Sequence, residues 1–178
     1  MMSSEKLLSA EMSLAALKAL DFELKEPLHL VLGGGGALVL AYKFPLATED
    51  LDAFSRERNL PSVTPLIEKV AEKMGLPLDW LNPFFSTFTH ILPQDYGQRL
   101  RTVFSGNFLK VEALGPEDLF LMKCFAGRDK DIAHAKKLLQ IEGFDLGIAE
   151  DRIAELIEKR VSGSEKARDF LDDVTEGF

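Results

Sequence analysis

With 178 residues, 46% of them hydrophobic and 28% charged, the chain has the profile of a globular domain able to bury a real core. Its net charge of −8 argues against broad, sequence-independent nucleic-acid binding, which needs a Lys/Arg surface to displace counterions. The single cysteine, Cys124, excludes an internal disulfide and a thiolate cluster, and neither a membrane-spanning apolar run nor a signal-peptide pattern is read, so the cytoplasm is the expected compartment.

Helical spacing of Leu7, Leu8, Leu14, Leu17 and Leu20 predicts a first helix over residues 4–21. Pro27 ends it, and Leu28–Leu32 reads as a short buried strand. A helix is expected from about Gly36 to Phe44, then a strand around Asp50–Phe54. A charged loop, Ser55–Pro61, leads to a helix over Thr64–Met74 with Gly75 as its stop signal. Residues 77–98, with Trp80, several phenylalanines and three prolines, read as irregular with one short helix. Arg99–Phe104 and Asn107–Leu114 predict a hairpin across Ser105-Gly106. Gly115-Pro116-Glu117-Asp118 is a helix start, with Pro in the first position and acids in the first turn. Further helices are expected near 131–141, 149–161 and 164–174. The expected fold class is therefore α/β (α+β): a small mixed sheet flanked by helices over 1–114, followed by a C-terminal helical bundle over 115–178.

Two stretches carry chemistry. The apolar run ends in Gly33-Gly34-Gly35-Gly36, and glycine lets a backbone lie against phosphates with no Cβ in the way. About fifteen residues later comes Thr48-Glu49-Asp50-Leu51-Asp52. On a strand, Asp50 and Asp52 share one face, and two adjacent carboxylates favour a divalent cation between them. On a helix capped by Thr48 they would lie about 200° apart and could share nothing. The second stretch runs from Glu117 to Ile132, where Lys123 stands among Leu121, Met122, Cys124 and Phe125. Such a Lys must snorkel or find an anion, either Asp131 or a ligand phosphate. A local basic rim could come from Gln98-Arg99-Leu100-Arg101 and Lys110, although these read more readily as solvated strand and turn residues.

Taken in order, the glycine run, Thr48-Glu49-Asp50-Leu51-Asp52, Glu117-Asp118-Leu119 to Lys123, and Ala126-Gly127-Arg128-Asp129-Lys130-Asp131-Ile132 resemble the minimal nucleotidyltransferase superfamily. The nearest subset is similar to the bacterial DUF6036 and AbiEii-toxin-like proteins, many linked to toxin–antitoxin or phage-defence loci. Trp80-Leu81-Asn82 matches a Trp-Leu-Asn of the DUF6036 group. The resemblance implies that Gly34 and Gly35, flanked by Gly33 and Gly36, contact the triphosphate of an NTP. It implies that Asp50 and Asp52 bind Mg²⁺ (or Mn²⁺), with Thr48 and Arg128 on the nucleotide and Lys123 and Asp131 completing the site.

The chain also departs from the pattern. Leu46 stands where relatives often carry an Arg, which would move that duty to Lys43 or Arg128, and His134 stands where many have an acid. No motif assigns a third carboxylate; Glu112 is the first choice, sharing a strand face with Lys110, and Asp95 the second. Three functions follow as expectations. The chain transfers an NMP to an RNA, protein or small-molecule hydroxyl, with a cognate toxin or antitoxin as a further partner and no membrane. Or it is a degenerate, antitoxin-like binding module; or it is a scaffold whose Asp50 and Asp52 are only surface acids.

Overall fold

The computed structural model describes residues 7–57 and 60–177 of the chain, which form two compact units. One comprises Met1–Thr87 with Leu100–Leu114, the other Phe88–Arg99 with Gly115–Phe178. Residues 88–99 thus group with the C-terminal helices rather than with the sheet.

The first unit contains α1 (Ala10–Glu23), β1 (Leu28–Leu32), α2 (Gly34–Tyr42), β2 (Leu51–Ser55), α3 (Thr64–Met74), β3 (Leu81–Asn82), β4 (Arg101–Ser105) and β5 (Leu109–Ala113). Its sheet has the order β3-β2-β1-β5-β4. β1 runs antiparallel to β2 and parallel to β5, β2 is parallel to β3, and β4 is antiparallel to β5. Strand alternation sorts the side chains. Leu28, Leu30, Leu32, Leu51, Ala53, Leu109, Val111 and Ala113 are all buried on one face. The other face carries His29, Val31, Asp52, Phe54, Lys110 and Glu112, of which only Val31 is fully covered. The mixed α/β class with flanking helices is the one expected.

Polar contacts fix the helices of this unit. Asp21, near the end of α1, accepts from the backbone N–H groups of Asn107, Phe108 and Leu109 at 3.0, 2.8 and 2.7 Å, clamping the helix to the β4–β5 turn. Glu23 pairs with Lys69 and Lys73 of α3. Trp80 is fully buried and its indole N–H donates to the Ile67 carbonyl of α3 at 3.1 Å.

The first helix begins six residues later than the leucine spacing predicts. Ser9 caps it, accepting from Met12 N–H, and Leu8 is withdrawn into a two-way backbone bridge with Thr48. The expected turn at residues 4–6 lies outside the described residues. α2 starts at Gly34 rather than Gly36, so the glycines form its first turn. β3 was not foreseen because two residues carry no readable period.

The second unit holds α4 (Pro116–Ala126), α5 (Asp129–Leu139), α6 (Leu146–Glu158) and α7 (Ser164–Thr175), preceded by 3-10 turns at Tyr96–Arg99. α4 is the central helix, with α5, α6 and α7 packed on it. Its buried set includes Leu119, Phe120, Leu121 and Cys124, and also Glu117, Asp118 and Lys123. A helix enclosed on all sides loses its amphipathic period, which is why Lys123 looked misplaced. Burial pushes the Cys124 thiol out of the reactive range. α6 begins at Leu146, earlier than expected, because the Asp145 side chain accepts from Gly147 N–H and caps it.

The Asp21 clamp yields a prediction. Burial alone would raise this carboxyl, but the three hairpin amides hold it below its usual range. Its contribution to stability is therefore present above the unfolded aspartate value near 4 and lost as the pH falls below it. Asp21→Ala should lower the unfolding free energy by about 3 kcal/mol at pH 7 and by much less at pH 3, measured by urea melts.

Candidate functional site

At the end of β1 the chain turns directly into a helix whose first residues are glycines. Gly33 N–H donates to the Asp52 carbonyl at 3.0 Å, tying the turn to β2. Gly34 has φ +54°, a left-handed backbone that costs an L side chain about 1–2 kcal/mol. A Cβ there would also lie 2.9 Å from Asp52 Oδ2. A Cβ on Gly36 would meet Leu51 Cδ2 at 2.6 Å. The glycine run thus lets the start of α2 lie directly on the Asp50-Leu51-Asp52 backbone. The first amides of any α-helix have no intrahelical acceptor and carry the positive end of its dipole, so this turn sets a positive helix end beside two acids.

Asp50 and Asp52 are brought together as the strand alternative requires. Leu51 N–H donates to the Trp80 carbonyl at 2.7 Å, and β2 pairs in register with β3 and β1, which overturns the helix-cap alternative for Thr48–Leu51. Thr48 is buried beside Gly35, its hydroxyl donating to the Asp50 carbonyl at 2.8 Å, so it shapes the loop that delivers Asp50. Asn82, on β3 in register with Asp52, donates its amide N–H to Asp50 Oδ2 at 2.8 Å. Burial and the neighbouring Asp52 push the Asp50 carboxyl up to about 6, with Asn82 opposing and Asp79 and Glu49 adding to the rise. Sequence reasoning gave no role to Asn82 or Asp79; the Trp80-Leu81-Asn82 tripeptide was the available signal.

Glu112 does not extend this pair. It stands on β5 opposite Val31, one strand beyond β1, and its carboxylate oxygens are taken by His29 Nε2 at 2.7 Å and Lys110 Nζ at 2.9 Å. Burial acts to raise this carboxyl, yet Lys110 and His29 hold it below its ordinary value. Among the described residues no group of three or more His, Cys, Asp or Glu side chains is placed to hold a metal ion. The basic rim also dissolves in part. Arg99 is engaged bidentately by Asp118 at 2.8 and 2.9 Å and by Asp95 at 2.9 Å, all within the second unit. Its guanidinium is thereby held above the ordinary arginine range, with Asp118 the main cause. Arg101 lies over the Tyr42 ring, 4.7 Å from its centroid.

Lys123, Asp131 and Arg128 form a separate constellation within the second unit. Lys123 Nζ donates to Asp131 Oδ1 at 2.6 Å, and Asp131 is fully buried. Arg128 Nε donates to Asp131 Oδ2 at 2.8 Å, and the same oxygen accepts from Arg128 N–H at 3.3 Å as a cap of α5. Burial acts to raise the Asp131 carboxyl, but Arg128 and Lys123 outweigh it and hold it below its usual range. This carboxylate locks α4 to α5.

Two stability measurements follow. Asp131→Ala leaves the buried Lys123 ammonium without its counter-charge and should cost about 3–5 kcal/mol in denaturant unfolding. Asp50 works in the opposite sense. Folded Asp50 holds its proton up to about pH 6, whereas the unfolded group releases it near 3.8, so keeping it ionised opposes folding above pH 6. That penalty fades between pH 6 and 4. In metal-free buffer, Asp50→Asn should therefore melt higher than the wild type at pH 8, and the difference should vanish by pH 4.

Comparison with known proteins adds to this geometry. No curated protein and no solved structure matches the chain. One family model, described as a nucleotidyltransferase of unknown function, matches residues 5–175 and so spans both units. With the glycine turn and the paired aspartates inside that match, the chain belongs to the DUF6036 family of nucleotidyltransferases of unknown function.

Proposed function

We propose that the chain transfers a nucleoside monophosphate from an NTP to a hydroxyl acceptor, the hydroxyl oxygen bonding to the α-phosphorus as the α–β phosphoanhydride breaks and pyrophosphate leaves, using a divalent cation held by Asp50 and Asp52. The observation that carries this reading is the contact between the glycine-led start of α2 and those aspartates. An anion-binding helix end and a carboxylate pair in direct contact suit a triphosphate and its cation together.

The donor set fits Mg²⁺ or Mn²⁺. Burial and the Asp52 charge make ionised Asp50 unfavourable when the pair stands alone, a strain that a cation between the two relieves. Such ions are bound by one or two carboxylates together with substrate phosphates. When bound, the ion neutralises charge on the phosphates and favours the deprotonated acceptor hydroxyl. The chain's own part is to hold the phosphates with the amides of Gly34, Gly35 and Gly36. Asp50 is held by the Thr48 and Asn82 hydrogen bonds, and Asp52 by the pairing of β2 with β3 and the Gly33 N–H on its carbonyl. The acceptor is an RNA, a protein or a small molecule, and a toxin–antitoxin or phage-defence role extends the same proposal.

A second reading, nucleotide binding without turnover, is favoured by one observation: Glu112 is committed to His29 and Lys110 rather than to the aspartates. A single experiment separates the two. Each α-labelled NTP is incubated with the chain, Mg²⁺ or Mn²⁺, and RNA, protein or small-molecule acceptors, and nucleotide-dependent melting shifts are read in parallel. Label transfer that falls more than about a hundredfold in Asp50→Ala/Asp52→Ala supports the enzyme, since a ligand's loss should exceed that of an outer partner. A melting shift with no transfer to any acceptor supports the binding module, and neither response rejects both.

A further inference from the structure

Asn82 is a polar side chain with only 3% of its surface exposed, on a two-residue strand. Its backbone register sets it opposite Asp52, so the two side chains share a sheet face. Its Nδ2 donates to Asp50 Oδ2 at 2.8 Å and also lies 3.5 Å from the Asp79 carbonyl. The place is fixed from behind, because Trp80 is anchored to Ile67 and its carbonyl accepts from Leu51 N–H. The position beside the aspartate pair on the adjoining strand is therefore filled by an amide, while the acid nearest in sequence logic, Glu112, is paired elsewhere.

We propose that Asn82 is a positioning residue standing where a third acidic ligand would otherwise come, fixing the Asp50 carboxylate for one divalent cation while leaving the site two acids. The inference rests on the cation-binding reading of Asp50 and Asp52. An amide in this place donates to a carboxylate that would be repelled by another acid, and it holds one oxygen of that carboxylate in a set direction. Hydrogen-bond partners behind a ligating carboxylate govern metal affinity in this way, typically by about 10–100-fold. Asn82 carries no charge and takes no proton, and the amide N–H it gives to Asp50 acts on the cation by orienting that carboxylate.

Calorimetric titration of the full chain with MnCl₂ and with MgCl₂ at pH 8, without nucleotide, tests this, alongside thermal melting of each variant. Asn82→Ala should bind Mn²⁺ about 10–100-fold more weakly than the wild type while still melting cooperatively. Asn82→Asp, nearly isosteric, should melt lower without metal and bind Mn²⁺ more tightly, since a third carboxylate now joins the pair. A merely structural Asn82 would lower the melting temperature and leave the cation Kd unchanged. Wild-type affinity in Asn82→Ala, or no gain in Asn82→Asp, overturns the proposal and leaves the two-aspartate site standing. If Asn82→Ala fails to fold, Asn82→Asp alone decides. A wild type that binds neither cation alone is titrated again with an NTP present, and no cation binding then overturns the site reading together with this inference.

Discussion

The backbone of Gly33 and Gly34 lies close enough to β2 that a single added Cβ would sit 2.9 Å from an Asp52 oxygen. This close approach orders what surrounds it. β1 must end at Leu32, α2 must begin at once, and the Asp50–Asp52 segment must pair as a strand rather than start a helix. The contact also puts the positive end of the α2 dipole and the Asp50 and Asp52 carboxylates side by side, the arrangement on which the proposed nucleotide and cation site rests.

Four other acids of the fold stand against cationic or backbone donors. Asp21 accepts three backbone amides, Glu23 has two lysines, Asp118 has Arg99, and Asp131 has Lys123 and Arg128. Each sits opposite a donor that the fold supplies. Asp50 faces one neutral amide and a second carboxylate, and burial together with that neighbouring charge pushes it up to about 6. Buried acids that the fold leaves strained in this way are where function concentrates.

Several elements were legible in order. α3 falls on the expected residues because Pro65 sets its first turn and Gly75 ends it in a left-handed turn. The hairpin and the start of α4 followed from Ser105-Gly106 and Gly115-Pro116 for similar local reasons. The first helix was overextended because leucine spacing does not reveal that Leu8 bonds to Thr48, forty residues away. Strand alternation gives the face of Glu112 but neither its distance across strands nor its partner His29 on the next one.

By itself the sequence determined the local geometry of this protein. It set which residues could turn sharply at Gly34, that Asp50 and Asp52 could share a face, and that Lys123 needed an anion. These follow from backbone freedom, side-chain period and desolvation, which act over a few residues. Only the tertiary structure decided the partners. It gave Asp131 to Lys123, Glu112 to His29 and Lys110, and Asn82 to Asp50. Those pairings depend on strand order and register, and a five-stranded sheet ordered β3-β2-β1-β5-β4 brings together residues whose separation along the chain carries no periodic signal.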